Sequence, residues 1–286
     1  MIGVVILNYN SLKDTLKCID SLARQEDVQL GIIVVDNASS STNDIALLQE
    51  SCKARGILFH SAMNNLGYNA GNNIGMRIAL DAGCEAILIA NPDMEFPDTR
   101  YVATLYREMM LHKDCAAISG SIISPEGRHQ TPMKRDDSWT GGVAWIKDLF
   151  GLKKKTSAEY ADFIDNPTVS HQCGKLSGCC LMLNSNYLLT NGLFDENLFL
   201  YCEESVLSRQ IERAGQTMYY TADTYAVHRH VSNEKGDPRP RFRHWLNSRL
   251  YFIRKYSDWP WYGRLIASMS FRLYTFVMIT AKSLHR

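Results

Sequence analysis

Apolar and polar residues follow one another along the chain in blocks whose spacing predicts alternating strands and helices. Continuous apolar runs, such as Gly3 to Leu7 and Ala86 to Ala90, are typical of strands buried on both faces. Between such runs, apolar residues recur every three or four positions, as Leu12, Leu16 and Ile19 do, which predicts helices with one buried face. Because strands and helices alternate about every 25–30 residues, we predict right-handed βαβ units and a parallel sheet.

The pattern predicts an α/β fold class, with a mostly parallel central sheet flanked by helices and a C-terminal helical tail. The 286 residues suffice for one substantial core with a small addition. Predicted strands cover residues 3–7, 32–35, 57–59, 86–90, 116–118, 176–183, 218–221 and 225–227. Six helices are predicted. The first follows Ser11, the second contains Ile45, Leu48 and Cys52, and the third ends at Ala82. The fourth covers residues 98–111, the fifth surrounds Tyr187, and the sixth ends at Arg213, before Gly215.

The strand of residues 86–90 ends at Asn91-Pro92-Asp93. Pro92 has no N–H for a sheet ladder, so pairing is expected to stop there, at the edge where α/β sheets bind ligands. Asp93 would project a carboxylate from this edge, and such a group suits a divalent cation whose other ligands are waters and phosphate oxygens. The alternative is a plain turn, since Asn, Pro and Asp are all turn formers.

Glycine and asparagine are concentrated between Asn64 and Gly75. We predict a loop here that leads into the next helix. The first strand is followed by no G-x-G-x-x-G, and no G-x-x-x-x-G-K-[ST] occurs in the sequence, so neither a dinucleotide fingerprint nor a P-loop is indicated.

The charge of the chain is divided unevenly. The net charge is +1, but residues 235–286 hold eleven Lys and Arg against two Asp, which leaves residues 1–234 at −8. A basic tail on an acidic body points to an anionic surface. No nucleic-acid recognition motif accompanies it. The eight cysteines lack a C-x-x-C pair and are expected to be reduced, buried thiols of a cytoplasmic protein.

The apolar stretch 263–281 predicts an amphipathic helix rather than a membrane span, because Arg264 and Arg272 interrupt it. Such a helix could lie in a membrane interface. It could also pack on the core of the protein. Its predicted polar side holds Arg264, Ser268, Arg272, Thr275 and Lys282, and its apolar side holds Ile266, Met269, Leu273, Phe276 and Val277.

Eight sequence features occur in a fixed order: V-V-I-L-N-Y-N, V-V-D-N-A-S-S, N-N-L-G-Y-N-A-G-N-N, N-P-D, S-G-C-C-L-M-L, G-L-F-D-E-N-L-F-L-Y, the pair Glu203-Glu204 and a closing His. Together they resemble the inverting, nucleotide-sugar-dependent glycosyltransferases of family 2, which have the GT-A fold. The resemblance runs from Gly3 to about His230. It is strongest with the bacterial branch that contains rhamnosyltransferases and related enzymes of surface polysaccharide synthesis, of the O-antigen or capsule type.

The resemblance implies that one GT-A domain has two halves. Residues 1–95 would bind the nucleotide sugar, residues 96–234 would bind the acceptor and hold the catalytic groups, and residues 235–286 would form the basic tail. The aperiodic stretch from Glu126 to Gln172 would select donor sugar and acceptor. The donor-binding residues implied are Asn8, Asn10, Asp36, Asn65, Gly67, Asn73 and Asn91.

Within this set, Asn8 and Asn10 would contact base or ribose, and Asp36 would accept from the N3–H of uracil or thymine. The alternative for Asp36 is capping of the following helix. Gly67 and the amides around it would bring backbone and donors close to the nucleotide, unless this stretch is a plain loop and helix start.

For the reaction, the resemblance implies that Asp93 holds Mg²⁺ or Mn²⁺ and that His228 touches the metal or the diphosphate. Glu204 takes the position of the catalytic base, with Glu203 beside it. The structural alternatives are a histidine that only ends a strand and a carboxylate pair that only stabilises a helix N-terminus.

Three positions depart from the family pattern. Asn91 stands where an Asp is frequent, Glu204 stands where the acidic pair commonly has Asp, and Val206 replaces a further acid. These departures leave an alternative from another class, a catalytically silent nucleotide- or glycan-binding subunit of a polysaccharide assembly complex. The expected partners are a UDP- or dTDP-sugar, a lipid-linked saccharide acceptor and an anionic membrane surface, with no nucleic acid. The expected location is cytoplasmic, peripheral at the inner face of the cell membrane.

Overall fold

The computed structural model describes residues 1–136, 138–146, 164–229, 237 and 239–284. Residues 147–163 of the aperiodic stretch and the predicted boundary at 234/235 lie outside the described residues. The strands are β1 (Ile2–Asn8), β2 (Leu30–Asp36), β3 (Leu58–Ser61), β4 (Ala86–Ala90), β5 (Met94–Glu95), β6 (Cys115–Ile123), β7 (His171–Cys173), β8 (Cys180–Asn184) and β9 (Thr217–His228). The helices are α1 (Leu12–Leu22), α2 (Thr42–Ala54), α3 (Gly67–Asp81), α4 (Tyr101–Leu111), α5 (Ser185–Asn191), α6 (Glu203–Arg213), α7 (Arg239–Lys255) and α8 (Trp261–Leu284). The predicted α/β class is confirmed.

The strands form one mixed sheet with the order β3-β2-β1-β4-β8-β6-β9-β5, and β7 pairs with β9. Strands β3, β2, β1 and β4 are parallel. Strand β8 runs antiparallel to both β4 and β6, and β9 is parallel to β6. The parallel pairing brings the carboxyl ends of β1, β2 and β4 to one edge of the sheet, where Asn8 and Asp36 are register partners.

Two apolar clusters cover the two faces of the sheet, which explains the continuous apolar runs. In β1, Val4 and Ile6 belong to one cluster and Val5 to the other. In β4, Leu88 and Ile89 likewise face opposite clusters, and each of these side chains is fully buried. The alternation of side chains across a strand therefore gives an unbroken apolar sequence wherever helices pack on both faces.

Helix α3 begins at Gly67, inside the stretch that we predicted to be a loop. That prediction was wrong because local propensity, which is poor for Gly and Asn, is overridden here by packing. A Cβ on Gly71 would lie 2.6 Å from Leu7 Cδ1, and one on Gly75 would lie closer still to Val5. The glycines therefore let α3 approach β1 more closely than other residues could.

Two predicted strands differ from those observed. Strand β8 begins at Cys180 rather than at Leu176, so Ser177, Gly178 and Cys179 form a turn ahead of it. The two last strands are one, β9, whose pairing with β6 shifts register between Ser119 and Ser121. This irregularity breaks the apolar alternation that we used to place strand ends.

The C-terminal tail packs partly into the core, as the second interpretation of its sequence held. Phe252 of α7 and Ala267 and Phe271 of α8 share a buried cluster with Cys202 and Val206, at the start of α6. All eight cysteines are buried and unpaired, as expected. No helix among the described residues is long and apolar enough to cross a membrane.

The outward side of α8 is apolar and exposed. The core-facing stripe consists mainly of small residues and includes Thr275, which we had predicted on the polar side and which is only 4% exposed. The predicted apolar side is instead left uncovered, with side chains that are 41–68% exposed: Ile266, Met269, Leu273 and Phe276.

Candidate active site

Asn8 and Asp36 are joined at the carboxyl edge of β1 and β2. Asn8 Nδ2 donates to Asp36 Oδ1 at 2.7 Å and to Ser39 Oγ at 3.1 Å, and Asn8 Oδ1 accepts from Thr15 Oγ1 at 2.9 Å. Asp36 is fully buried and also accepts from the Ser39 N–H at 3.1 Å. The structure thus places Asn8 as a support for Asp36, and the predicted contacts of both with base or ribose stay predictions.

Asp36 does not cap helix α2. The N-cap is Ser41, whose hydroxyl accepts from the Asp44 N–H at 3.2 Å. The structural alternative for Asp36 is therefore wrong, because the cap position lies five residues further along the chain. Its buried carboxylate is held by Ser39, a residue that the sequence analysis quoted in a motif without giving it a role.

Asn10 and Asn65 lie beside this edge and brace the loops around it. Asn10 adopts a left-handed φ of 55°, and its Oδ1 accepts from the Ser40 N–H at 2.7 Å. Asn65 Oδ1 accepts from the Gly67 N–H at 2.9 Å and from Asn37 Nδ2 at 3.0 Å. Asn37, which was not among the candidates, thus connects the end of β2 to the start of α3.

Asn73 points away from this edge. Its Nδ2 donates to the Phe194 carbonyl and to Glu196 Oε1, both at 2.9 Å, and its Oδ1 accepts from the Phe194 N–H at 3.1 Å. Asn69 similarly donates to the Asp195 carbonyl at 2.8 Å. In this structure Asn73 fastens the segment of residues 192–201 to α3, and its predicted nucleotide contact stays a prediction.

Asp93 and His228 face each other across β5 and β9. His228 Nε2 lies 3.2 Å from Asp93 Oδ1, and His228 Nδ1 lies 2.7 Å from Gln130 Oε1. Burial alone would lower the pKa of His228, but its contacts with Asp93 and Cys179 raise the pKa to about 10. Asn91 lies at the same edge, where its N–H donates to the Cys179 carbonyl at 2.8 Å.

Glu203 and Glu204 begin helix α6 beside the turn that precedes β8. The Gly178 N–H points at Glu204 Oε1, 3.4 Å away, and the Gly178 carbonyl accepts from the Tyr68 hydroxyl. Cys179, which follows Gly178, accepts from the Asn91 N–H through its carbonyl and contacts His228 through its side chain. The turn before β8 therefore connects the acidic pair to the Asp93–His228 pair.

The environment of Glu203 favours its neutral form. Burial, and then the charge of Glu204, raise the pKa of Glu203 to about 8, although Arg249 opposes the shift. Arg249 comes from the tail helix α7 and lies 3.7 Å from Asp136. Asp136 also accepts from Lys175 Nζ at 2.9 Å and from the Ser205 hydroxyl. A charged network thus joins the tail to the start of α6.

Arg249 belongs to the basic tail that was predicted to meet an anionic surface, but in the structure it lies near the acidic pair. No role was predicted for Gly178, Cys179 or Asp136. A signal for Gly178 and Cys179 existed, since both lie in a quoted motif, S-G-C-C-L-M-L. No sequence signal marks Asp136 or Arg249, because their partners are 39 to 113 positions away along the chain.

Comparisons with known proteins agree on one family. The model of Glycosyl transferase family 2 matches residues 3–187. The low-salt glycan biosynthesis hexosyltransferase Agl10 of Haloferax volcanii is 27% identical over 206 residues, or 71% of this chain, and the chain spans only 59% of that relative's length. The N-acetylglucosaminyl-diphospho-decaprenol L-rhamnosyltransferase of Mycobacterium tuberculosis is 23% identical over 269 residues, covering 91% of this chain and 86% of the relative.

Solved structures show the same fold at low identity. GalNAc-T7, crystallised with UDP, GalNAc and Mn²⁺, superposes with a TM-score of 0.66 at 14% identity, over 90% of this chain and 48% of that one. The 1–349 fragment of S. aureus TarS in complex with UDP gives a TM-score of 0.57 at 14% identity, over 94% of this chain and 70% of that one.

Proposed function

Because the chain belongs to glycosyl transferase family 2, we propose that it transfers a sugar from a UDP- or dTDP-linked donor to a saccharide acceptor. The reaction is a single displacement at the anomeric carbon that inverts its configuration. The observation that carries this proposal is the meeting of Asp93, His228 and Glu204 around the Gly178–Cys179 turn, at the ligand-binding edge of the sheet.

Asp93 and His228 fit a divalent ion, Mg²⁺ or Mn²⁺. A carboxylate oxygen and a neutral imidazole nitrogen 3.2 Å apart are suitable ligands for such ions, so the ion would displace the proton that Asp93 and Cys179 favour on His228. Within the described ranges, no group of three or more His, Cys, Asp or Glu could hold an ion alone, which fits an ion that also uses donor phosphates and water as ligands. When bound, the ion would offset the charge of the departing diphosphate.

Glu204 acts as the general base in this proposal. Its carboxylate accepts the proton of the acceptor hydroxyl while that oxygen attacks the anomeric carbon and the diphosphate leaves. Burial and the neighbouring Glu204 raise the pKa of Glu203 to about 8, so Glu203 is a poorer proton acceptor near neutral pH. Asp36, held by Asn8 and Ser39, would position the nucleobase through its remaining lone pairs.

The acceptor in this proposal is a lipid-linked saccharide, used in surface polysaccharide synthesis at the inner face of the membrane. Support comes from the mycobacterial relative, whose name specifies a diphospho-decaprenol acceptor. Further support comes from α8, where exposed Arg264 and Arg272 accompany an exposed apolar side. A helix of this kind, basic and amphipathic, suits an anionic membrane surface.

The test measures release of nucleoside diphosphate from a panel of UDP- and dTDP-sugars, with decaprenyl-diphosphate-linked N-acetylglucosamine as acceptor and Mn²⁺ or Mg²⁺ present. Asp93→Asn should lower turnover by roughly 10²-fold or more, because several kcal/mol of charge stabilisation is lost. The exposed Asp14→Asn, which loses only a 4.0 Å contact with Lys17, is the matched control and should keep full activity.

Two results would contradict the proposal. Asp93→Asn turning over like the wild type, or full activity in EDTA, would exclude the metal-assisted mechanism. Tight, metal-dependent nucleotide binding with no turnover of any sugar would instead identify the chain as the silent binding subunit.

A further inference from the structure

A cleft of about 560 Å³ opens between helices α7 and α8 and the segment that precedes α6. Its size lies within the range of small-molecule sites. Arg254 of α7 and Arg272 of α8 lie on its two helical walls, and Asn197 and Phe199 form part of the third. The described residues that line it include no Asp or Glu.

The two arginines are available to an anion. Arg254 lies over the Tyr251 ring at 5.8 Å, and neither guanidinium forms an ion pair within the described part of the chain. This contrasts with Lys255, which is held at 3.0 Å by Asp195, and with Arg249, which faces Asp136. Guanidinium groups bind phosphate oxygens in a bidentate manner, so two of them on facing walls suit a phosphate or diphosphate.

The α8 wall of the cleft continues onto the exposed apolar side of that helix. Arg272 is three positions from Met269 and four from Phe276, which makes all three neighbours on the helix surface. Met269 and Phe276 are 62% and 68% exposed. An anion bound between the arginines would therefore have an uncovered apolar track beside it, as the head group of an amphiphile requires.

The cleft is connected to the candidate active site by the segment that precedes α6. Phe199 stacks on His244 in the cleft, while its carbonyl accepts from the Tyr68 N–H at 2.7 Å. Four residues after Phe199 the chain reaches Glu203, and Ser248 from α7 fixes the intervening turn by donating to the Leu200 carbonyl at 2.7 Å. The same short segment thus lines the cleft and leads into the acidic pair.

We infer that this cleft binds the diphosphate of the lipid-linked acceptor, with the isoprenoid chain lying along the apolar side of α8. The inference rests on the proposed transfer to a lipid-linked saccharide and adds the residues that would hold the lipid end of that acceptor. The saccharide end would then extend past Phe199 toward Glu204.

The experiment is flotation of the full-length protein with phosphatidylcholine vesicles that carry decaprenyl diphosphate, in EDTA so that no metal mediates binding. The double variant Arg254→Gln/Arg272→Gln should lose binding by about tenfold or more, because two charged hydrogen-bond donors are removed. The control pair Arg24→Gln/Arg107→Gln, two exposed arginines outside the C-terminal tail, removes the same charge and should bind like the wild type. Melting temperatures show that both variants are folded.

A second set of vesicles, of equal parts phosphatidylcholine and phosphatidylglycerol, separates a diphosphate site from general attraction to anionic lipid. The inference is overturned if the cleft variant loses as much flotation with these vesicles as with those that carry decaprenyl diphosphate, or if both variant pairs lose flotation equally. In the transfer assay the cleft variant should raise the KM for the lipid acceptor, and an unchanged KM would also overturn it. Donor hydrolysis by the wild type without acceptor tests the proposed function separately. If no hydrolysis is found, the proposed function fails, while the vesicle experiment still tests binding of the diphosphate in the cleft.

Discussion

Asp195 fastens the tail to the rest of the fold, and its replacement by Asn tests whether that attachment stabilises the protein. The Asp195 side chain is 6% exposed. Its Oδ2 accepts from Tyr251 at 2.7 Å, from Tyr256 at 2.5 Å and from Lys255 at 3.0 Å. Its Oδ1 accepts from the side chain of Asn197 at 2.6 Å. Asn keeps the size of Asp but loses the charge and one acceptor atom.

The expected cost follows from these bonds. Hydrogen bonds to a charged group contribute about 1.5–3 kcal/mol each, and the bond to the half-exposed Lys255 contributes less because water screens it. Asp195→Asn should therefore lower the free energy of unfolding by about 2–4 kcal/mol. With an unfolding entropy of roughly 2.1 cal/mol/K per residue, a chain of 286 residues should melt about 3–7 °C lower.

The pH dependence gives a second, independent measurement. Burial alone would raise the pKa of Asp195, but the bonds from Tyr256, Asn197, Tyr251 and Lys255 outweigh it and hold the pKa well below its usual range. The unfolded state therefore binds a proton first as the pH falls. The stability from Asp195 is present above the unfolded-state pKa of about 3.9 and is lost as the pH falls below it.

Urea unfolding at pH 7 and near pH 3 measures both effects. The difference between wild type and Asp195→Asn should be largest at pH 7 and should shrink on acidification. Asp14→Asn, at an exposed site, should change stability by less than about 0.5 kcal/mol at either pH. A variant with wild-type stability, or a gap that does not change with pH, would refute the role given to Asp195.

Three further predictions concern the acidic pair and the contact of α3 with the sheet. Glu204→Gln should lower kcat by about 10²–10⁴-fold and Glu203→Gln by less, and the reverse order in steady-state kinetics would move the base by one residue. The raised pKa of Glu203 means that the folded state holds this proton more tightly than the unfolded state does. The wild type should therefore lose stability relative to Glu203→Gln as the pH rises from about 4.3 to 8. A pH-independent difference in urea unfolding would contradict this. Gly75→Ala should destabilise by about 1–3 kcal/mol despite a gain in helix propensity, and Val5→Ala in the same chain should restore part of the loss in thermal melting.

The strands that are covered by apolar residues on both faces could be predicted from the sequence. Strands β1, β2 and β4 could be predicted because helices cover both faces and leave a continuous apolar run. The end of helix α3 was predicted, but its start was missed because its first turns consist of Gly and Asn, which serve close approach and long-range hydrogen bonds rather than helix propensity. The contacts that make Asn73 structural involve Phe194 and Glu196, more than 120 positions away, and no local pattern reports them.

Candidate site residues were predictable where the chain itself places them at strand ends or helix ends. Asp93 and His228 come from separate motifs, and the pairing of β5 with β9 brings them together. Glu204 comes from a third motif and is linked to them through the Gly178–Cys179 turn. The charged residues that influence the acidic pair, such as Arg249, come from elements that contain no recognisable motif. Arg249 lies on a tail helix whose composition indicated a surface, and only the packing of α7 on α6 turns it inward.

The division of roles between the two neighbouring glutamates follows from their different surroundings. A carboxylate at Glu203 would face both desolvation and the charge of Glu204, which raise the pKa of Glu203 to about 8. The Gly178 N–H is directed at Glu204 Oε1, 3.4 Å away, and fixes the position of this carboxyl group. Gly178 also has no side chain that would separate the pair from the turn, since a Cβ there would lie 3.3 Å from Glu203 Cγ and 3.5 Å from Glu204 Oε1. A carboxylate directed by this turn lies next to the residues that connect to Asp93, so the proposed general base and the proposed metal ligands belong to one site.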